Sequence, residues 1–131
     1  MCNQILSADY RYRKLQRLTK PAQFQLVYRS KRWGSNAHFS FNISVAKTQH
    51  TRLGVTVSKK VSKLAVKRNL IKRQTREFFR LNNKQLTAKL GHVDLVITAR
   101  VSCAQLSKNE RQQALHSIWQ KIIRLNKEQI S

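Results

Sequence analysis

The sequence predicts an α+β protein: a small two-layer α/β sandwich in the order helix, two or three strands, helix, strand, helix. Three observations carry this. Residues 39–46 and 53–58 alternate apolar and polar side chains with the period of a half-buried strand. Residues 64–80 and 108–126 instead carry apolar side chains at helical spacing, without a proline or glycine. Between those helices, residues 93–99 form a nearly unbroken apolar run, the pattern of a strand covered on both faces.

The elements follow in order. Residues 1–17 read as a tail in which Arg11, Arg13, Lys14 and Arg17 interleave with Tyr10 and Tyr12; it is either solvated or ordered along an RNA backbone. Thr19 is a helix cap and Pro21 suits the first turn, where its missing N–H leaves no bond unmade. Phe24, Val27 and Tyr28 then share one side of a short helix. The first strand presents Phe39, Phe41, Ile43 and Val45 on one face. After a polar turn at residues 47–50, Leu53, Val55 and Val57 do the same, and the two runs predict an antiparallel hairpin. Gly54 marks either close approach of another segment or a bulge.

On a wheel of about 100° per residue, the next helix puts Val66, Leu70, Ile71, Phe78 and Leu81 on one arc. Arg68, Asn69, Lys72, Arg73, Arg76 and Arg80 fill the opposite arc, with Lys67 on the apolar side and Phe79 at the polar edge. Residues 82–91 continue the helix or form a loop, stopping at Gly91. Ser107 and Glu110 make a capping-box signature for the last helix, whose stripe is Leu115, Ile118, Ile122 and Leu125 with Ala114 and Trp119 beside it. One domain over residues 18–126, with tails at 1–17 and 127–131, accounts for the length of 131 residues. If the strands before residue 60 and at 93–99 are parallel neighbours, the basic helix is their crossover, right-handed by the general rule.

The charge narrows the function. Lysine and arginine number 27 against five aspartates and glutamates, a formal net charge of +22. So much like charge in one compact chain favours a polyanionic partner, and 40% apolar residues are too many for a disordered basic tail. No stretch reaches the roughly 20 apolar residues of a membrane span. The start of the chain lacks the apolar core of a secretion signal, so a cytoplasmic protein with Cys2 and Cys103 as free thiols is expected. Two cysteines and four scattered histidines do not form a zinc motif, and three glycines are too few for a glycine-built phosphate loop. Asp9, Glu77, Asp94, Glu110 and Glu128 are dispersed singly, unlike the converging carboxylates of a two-metal nuclease. Catalysis, if any, is expected to come from elsewhere.

The one-sided basic helix fits a phosphate backbone. Asn69 supplies a directed amide within that arc, and Glu77 is spaced to pair with Arg73 or Arg80. Composition alone favours a ribosomal or other structured-RNA-binding protein. A DNA-binding repressor would need a capped helix-turn-helix before Val66, which is missing.

The motifs go further. Arg52-Leu53-Gly54-Val55-Thr56-Val57-Ser58-Lys59-Lys60, then Val66-Lys67-Arg68-Asn69-Leu70-Ile71-Lys72-Arg73-Gln74-Thr75-Arg76-Glu77-Phe78-Phe79-Arg80, then Asp94-Leu95-Val96-Ile97-Thr98-Ala99-Arg100, resemble the bacterial ribonuclease P protein subunit. With Arg17-Leu18-Thr19, Phe24 and Val27 the likeness covers roughly residues 17–125. Leu70 departs from it, standing where the family usually has a second arginine after Arg-Asn. The resemblance implies a cytoplasmic ribonucleoprotein endonuclease that removes the 5′ leader of precursor tRNA, with catalysis by an RNA subunit that holds most of the Mg2+. It implies a monomeric protein bound one-to-one to that RNA, with no membrane and no obligate protein partner. It assigns Lys67, Arg68, Asn69, Lys72, Arg73, Arg76 and Arg80 to the RNA subunit. A cleft between the first helix and the sheet would take the precursor tRNA leader through Arg17, Lys20, Phe24, Tyr28, Lys59 and Lys60. It also implies a left-handed β-α-β crossover, against the general rule.

Overall fold

A computed structural model describes residues 16–30, 32–46 and 48–130. Most of the expected N-terminal tail, with Tyr10, Arg11, Tyr12, Arg13 and Lys14, lies outside the described residues, as do Cys2 and Asp9. The elements are α1 (Pro21–Tyr28), β1 (Trp33–Ser35), β2 (Phe39–Val45), β3 (Arg52–Thr56), α2 (Ala65–Leu90), β4 (Val93–Ala99), a 3-10 helix (Val101–Gln105), α3 (Lys108–Ile123) and α4 (Lys127–Ile130). The α+β class and element order predicted from the sequence hold, and β1 is the optional third strand.

Strand pairing differs from the expected hairpin. The sheet order is β1-β2-β4-β3, so β4 lies between the two strands expected to pair. β2 is antiparallel to β4 from Phe39↔Ala99 to Val45↔Val93, and β3 is parallel to β4 from Arg52↔Asp94 to Thr56↔Thr98. The reason lies in β4, where six of seven residues are buried. Such a strand needs partners along both edges and cover on both faces. The conditional expectation of parallel neighbours joined through the basic helix is the arrangement present.

The sheet has two unlike faces. Phe39, Phe41, Ile43, Leu53, Leu95 and Ile97 point toward α2 and α3 and form the main core with Ile71, Phe79, Leu86, Leu115, Ile118 and Ile122. Trp119 is buried there, meeting Phe78 and Phe79 edge-on at centroid distances of 5.6 and 6.4 Å. On the reverse face α1 closes a small cluster of Leu18, Val27 and Val96, with Phe24 beside it.

The face that α2 buries is also rotated from the expected one. Its buried residues are Ile71, Thr75, Phe78, Phe79, Asn83, Leu86 and Leu90. Val66, Leu70 and Leu81, expected in the core, are 74%, 46% and 52% exposed, whereas Phe79 is fully buried. The helix runs on to Leu90, and Leu86 and Leu90 in its distal half shift the packed arc by roughly a third of a turn. No residue from Ala65 to Leu70 is fully buried. Gly91 ends the helix at φ 78°, the left-handed region that favours glycine, and its N–H bonds the Thr87 carbonyl.

The capping box opens α3: Ser107 N–H donates to Glu110 Oε1 at 2.8 Å and Glu110 N–H to Ser107 Oγ at 3.1 Å. The helix stops at Ile123, short of Asn126, and the chain beyond it is not a tail throughout, because α4 returns Ile130 to the core. Arg52 clamps Asp94 across β3 and β4 through two 2.8 Å bonds, Nε to Oδ1 and Nη2 to Oδ2. Both side chains are largely screened from water. Removing one partner of such a pair leaves the other charge desolvated. Asp94→Ala should therefore cost about 3 kcal/mol, read as a lower urea midpoint; an unchanged midpoint would show that Arg52 is well solvated without its partner.

Candidate nucleic-acid interface

The basic residues of α2 do not form one flat set. Asn69 and Arg73 are exposed, with Lys72, Arg76 and Arg80 half-buried beside them. Arg80 is held by Glu77, Nε to Oε1 at 3.0 Å, and that bond keeps the Glu77 carboxyl below its usual range. Arg68 turns back: its Nη1 donates to the carbonyls of Ser62 and Lys63 at 2.9 and 3.0 Å, bracing the loop after β3. Lys67 is half-buried on the other flank of the helix, where its charge acts on the Cys103 thiol. Of the residues that the resemblance assigns to the RNA subunit, the structure thus groups Asn69, Lys72, Arg73, Arg76 and Arg80, uses Arg68 partly as a brace, and sends Lys67 elsewhere.

Arg17 joins that group. It forms a parallel bridge with Leu53 at the outer edge of β3, and Leu18 N–H bonds the Leu53 carbonyl at 2.9 Å. Arg17, Asn69, Arg73, Arg76 and Glu77 line one surface concavity of about 370 Å³. Three guanidinium groups around one hollow suit a phosphate group. The first turn of α2 has no acid to neutralise the positive end of the helix.

The second candidate surface lies on the reverse face of the sheet. By register, Ser40, Thr98 and Thr56 form one polar row, and Asn42, Val96 and Gly54 the next. Phe24 lies over Gly54, where an added Cβ would fall 2.6 Å from Phe24 Cζ and 3.2 Å from Leu18 Cβ. Gly54 therefore marks a close approach, the first of its two expected readings. Tyr28 is 42% exposed and its hydroxyl is 3.2 Å from Thr56 Oγ1. The helix is capped at Lys20 rather than Thr19, because the Gln23 carboxamide oxygen reaches back to accept both N–H groups, at 3.0 and 2.8 Å. Lys20, Lys59 and Lys60 are exposed. A polar floor with an aromatic wall and nearby cations can take a single strand, stacking its bases and neutralising its phosphates.

Some side chains the sequence left open have structural roles. Cys103 is buried, which pushes its thiol pKa up and keeps it protonated. Ser102 Oγ donates to the Ala37 carbonyl and meets His38 Nδ1 at 2.8 Å, latching the β1–β2 turn to the 3-10 helix. Among the described residues, no three His, Cys, Asp or Glu side chains form a metal-holding group. No described helix is long and apolar enough to cross a membrane. Trp33, to which the sequence pattern gave no role, is 65% exposed on the α1 face of the sheet. The signal for it was a lone aromatic outside both alternating runs.

Comparison with known proteins gives the family and the fold. The family model described as Ribonuclease P matches residues 12–123. The "Ribonuclease P protein component" of Chromobacterium violaceum is 37% identical over 115 residues, 88% of this chain and 92% of that protein. The protein of the same name from Desulforapulum autotrophicum is 38% identical, over 88% of this chain and 96% of its own. The solved Staphylococcus aureus RNase P protein is 30% identical with a TM-score of 0.72, covering 81% of this chain and 94% of that one. The Thermotoga maritima RNase P protein, at 22% identity and a TM-score of 0.69, shares the fold over 84% of this chain and 97% of its own. With a family model spanning most of its length and relatives above 30% identity along nearly all of theirs, this chain belongs to the Ribonuclease P protein family.

Proposed function

We propose that this chain is the protein subunit of ribonuclease P, a cytoplasmic monomer that binds one catalytic RNA and promotes removal of the 5′ leader from precursor tRNA. The observation that carries the reading is the concavity in which Arg73, Arg76 and the Asn69 amide of α2 meet Arg17, in a chain of this family. Lys72 and Arg80 extend that face along the RNA subunit, Arg68 holds the loop below it, and Lys67 contacts RNA from the other flank of the helix. Phe24 and Tyr28 line the leader cleft, with Lys20, Lys59 and Lys60 meeting leader phosphates. Arg17 serves the RNA subunit, or both RNAs where they meet.

The RNA subunit performs the hydrolysis and holds most of the Mg2+. The described carboxylates suit that division: Glu77 is engaged by Arg80, Asp94 by Arg52 and Glu110 by the cap of α3, and no three of them with Glu128 group to hold a metal. What the protein supplies is charge and shape. Its cations screen the repulsion between leader and catalytic RNA, which tightens substrate binding and lets the RNA retain its ions at lower concentration. The cleft adds affinity for precursor alone, because mature tRNA has no leader to fill it.

The direct test is precursor-tRNA cleavage at low magnesium with the protein alone, the RNA alone and both together. The expected result is correct 5′ maturation only, or much faster, in the mixture. No enhancement, where the RNA alone still works at high magnesium, would overturn the assignment. Arg73→Ala should weaken holoenzyme assembly and lower its salt slope by roughly one unit without moving the melting temperature. Arg68→Ala should also lower the melting temperature, since it frees the Ser62 and Lys63 carbonyls. Phe24→Ala should harm binding of leader-bearing substrate by about fivefold or more relative to mature tRNA; equal losses on both would leave Phe24 a packing residue only.

A further inference from the structure

Trp33 is a large aromatic side chain held on a rigid strand with no core to fill. Its Cα partner in β2 is Asn42, which pairs in turn with Val96 of β4, and Val96 with Gly54 of β3. That row faces α1, so the indole stands on the same side of the sheet as Phe24 and Tyr28. The next residue fixes the orientation. Gly34 lies against the Phe41 ring, where a Cβ would come within 2.6 Å of Cε2. A register slip that exchanged the two faces would drive the indole into that ring.

The backbone around Trp33 is pinned from several sides. Arg32 C=O accepts from Ile43 N–H, Arg32 N–H donates to Ser30 Oγ, and Arg32 Nε donates to the Gln129 carbonyl at 3.0 Å. Asn36 Nδ2 donates to the Ala114 carbonyl at 2.9 Å. The indole is therefore exposed on a fixed stretch of backbone. Between it and Tyr28, whose hydroxyl touches Thr56 on the far strand, runs the polar row Ser35, Ser40, Thr98 and Thr56. Three strand spacings make that row about 14 Å long. It spans up to about four nucleotides at the stacked spacing of roughly 3.4 Å.

We propose that Trp33 is a second base-stacking platform, which takes an unpaired nucleobase of the leader at the end of the cleft opposite Thr56. The inference rests on the leader-binding reading above and extends it: the single strand lies across the hydroxyl row, with one base near Phe24 and Tyr28 and another on the indole. A stack on an aromatic face tolerates any base, since every base has a π surface. The platform adds affinity with leader length more than with leader sequence.

The chain has two tryptophans, and Trp119 is buried at 2% exposure, so a change in tryptophan emission on adding RNA reports on Trp33. The test uses holoenzyme assembled from the full chain and ribonuclease P RNA, with precursors of increasing leader length. Affinity comes from single-turnover cleavage over a range of enzyme concentrations. Emission should fall when long-leader precursor is added and change little with mature tRNA. Trp33→Ala should remove about fivefold of the affinity that the longer leader adds, and Trp33→Phe should restore most of it. A loss independent of leader length would overturn the proposal. So would emission that falls fully when the catalytic RNA alone is added, since Trp33 would then lie in that interface. If wild-type protein enhances no precursor cleavage, the subunit assignment fails first and this proposal with it, a result distinct from active holoenzyme indifferent to Trp33.

Discussion

Burial of β4 on both faces is the constraint around which the rest of the molecule is arranged. Its apolar run requires a strand on either edge, which separates β2 from β3 and makes α2 the connection between parallel neighbours. Leu95 and Ile97 then organise the large core beneath α2 and α3, while Val96 gives α1 its purchase on the reverse face. The two candidate RNA surfaces lie on opposite sides of one strand. Neither could be built without the pairing that supports the other.

The same arrangement lets the chain carry so many cations. The distal half of α2 is anchored through Phe79, Leu86 and Leu90, whereas Ala65–Leu70 contribute no buried side chain. Packing thus takes one face of the helix from Ile71 onward and leaves the basic half of its surface toward solvent, where water and counterions lower the repulsion. Beside that half lies an exposed apolar strip of Val66, Leu70 and Leu81. Leu70, the departure from the family pattern, therefore exchanges a surface cation for surface apolar area and does not enlarge the core.

Local chemistry was legible in the sequence; choice of partner was not. Periodicity located the main strands, Ser107 and Glu110 marked the start of α3, and Gly91 marked the end of α2. Gly54 signalled a close approach, although only the fold identifies Phe24 as the group that approaches. The expected hairpin failed because alternation specifies which face a residue takes and says nothing about which strand lies alongside. A wheel that stops at Leu81 misplaces the packed face of α2, because it omits Leu86 and Leu90. Arg68 counted as a surface cation because its carbonyl partners belong to irregular backbone with no sequence signature. Of the candidate surfaces, the one-sided basic arc on α2 was therefore readable. Its division between a concavity and a brace required the fold, as did the placing of Phe24 and Tyr28 on the reverse face of the sheet.

That division bears on how the two RNA surfaces would work together. Residues 17–28 form a short continuous stretch: Arg17 sits against the basic face of α2, Leu18 is buried, and Phe24 and Tyr28 lie over the reverse face of β3. The bridge to Leu53 fixes one end of the stretch to β3, and Phe24 over Gly54 fixes the middle to the same strand. An RNA gripping Arg17 and a leader resting on Phe24 would therefore touch the protein within one rigid unit, anchored to adjacent residues of one strand. Little freedom would be lost when the second contact follows the first, because the separation between them is already set by the sheet. In the proposed function, the protein holds leader and catalytic RNA at a fixed spacing without any change in its own shape.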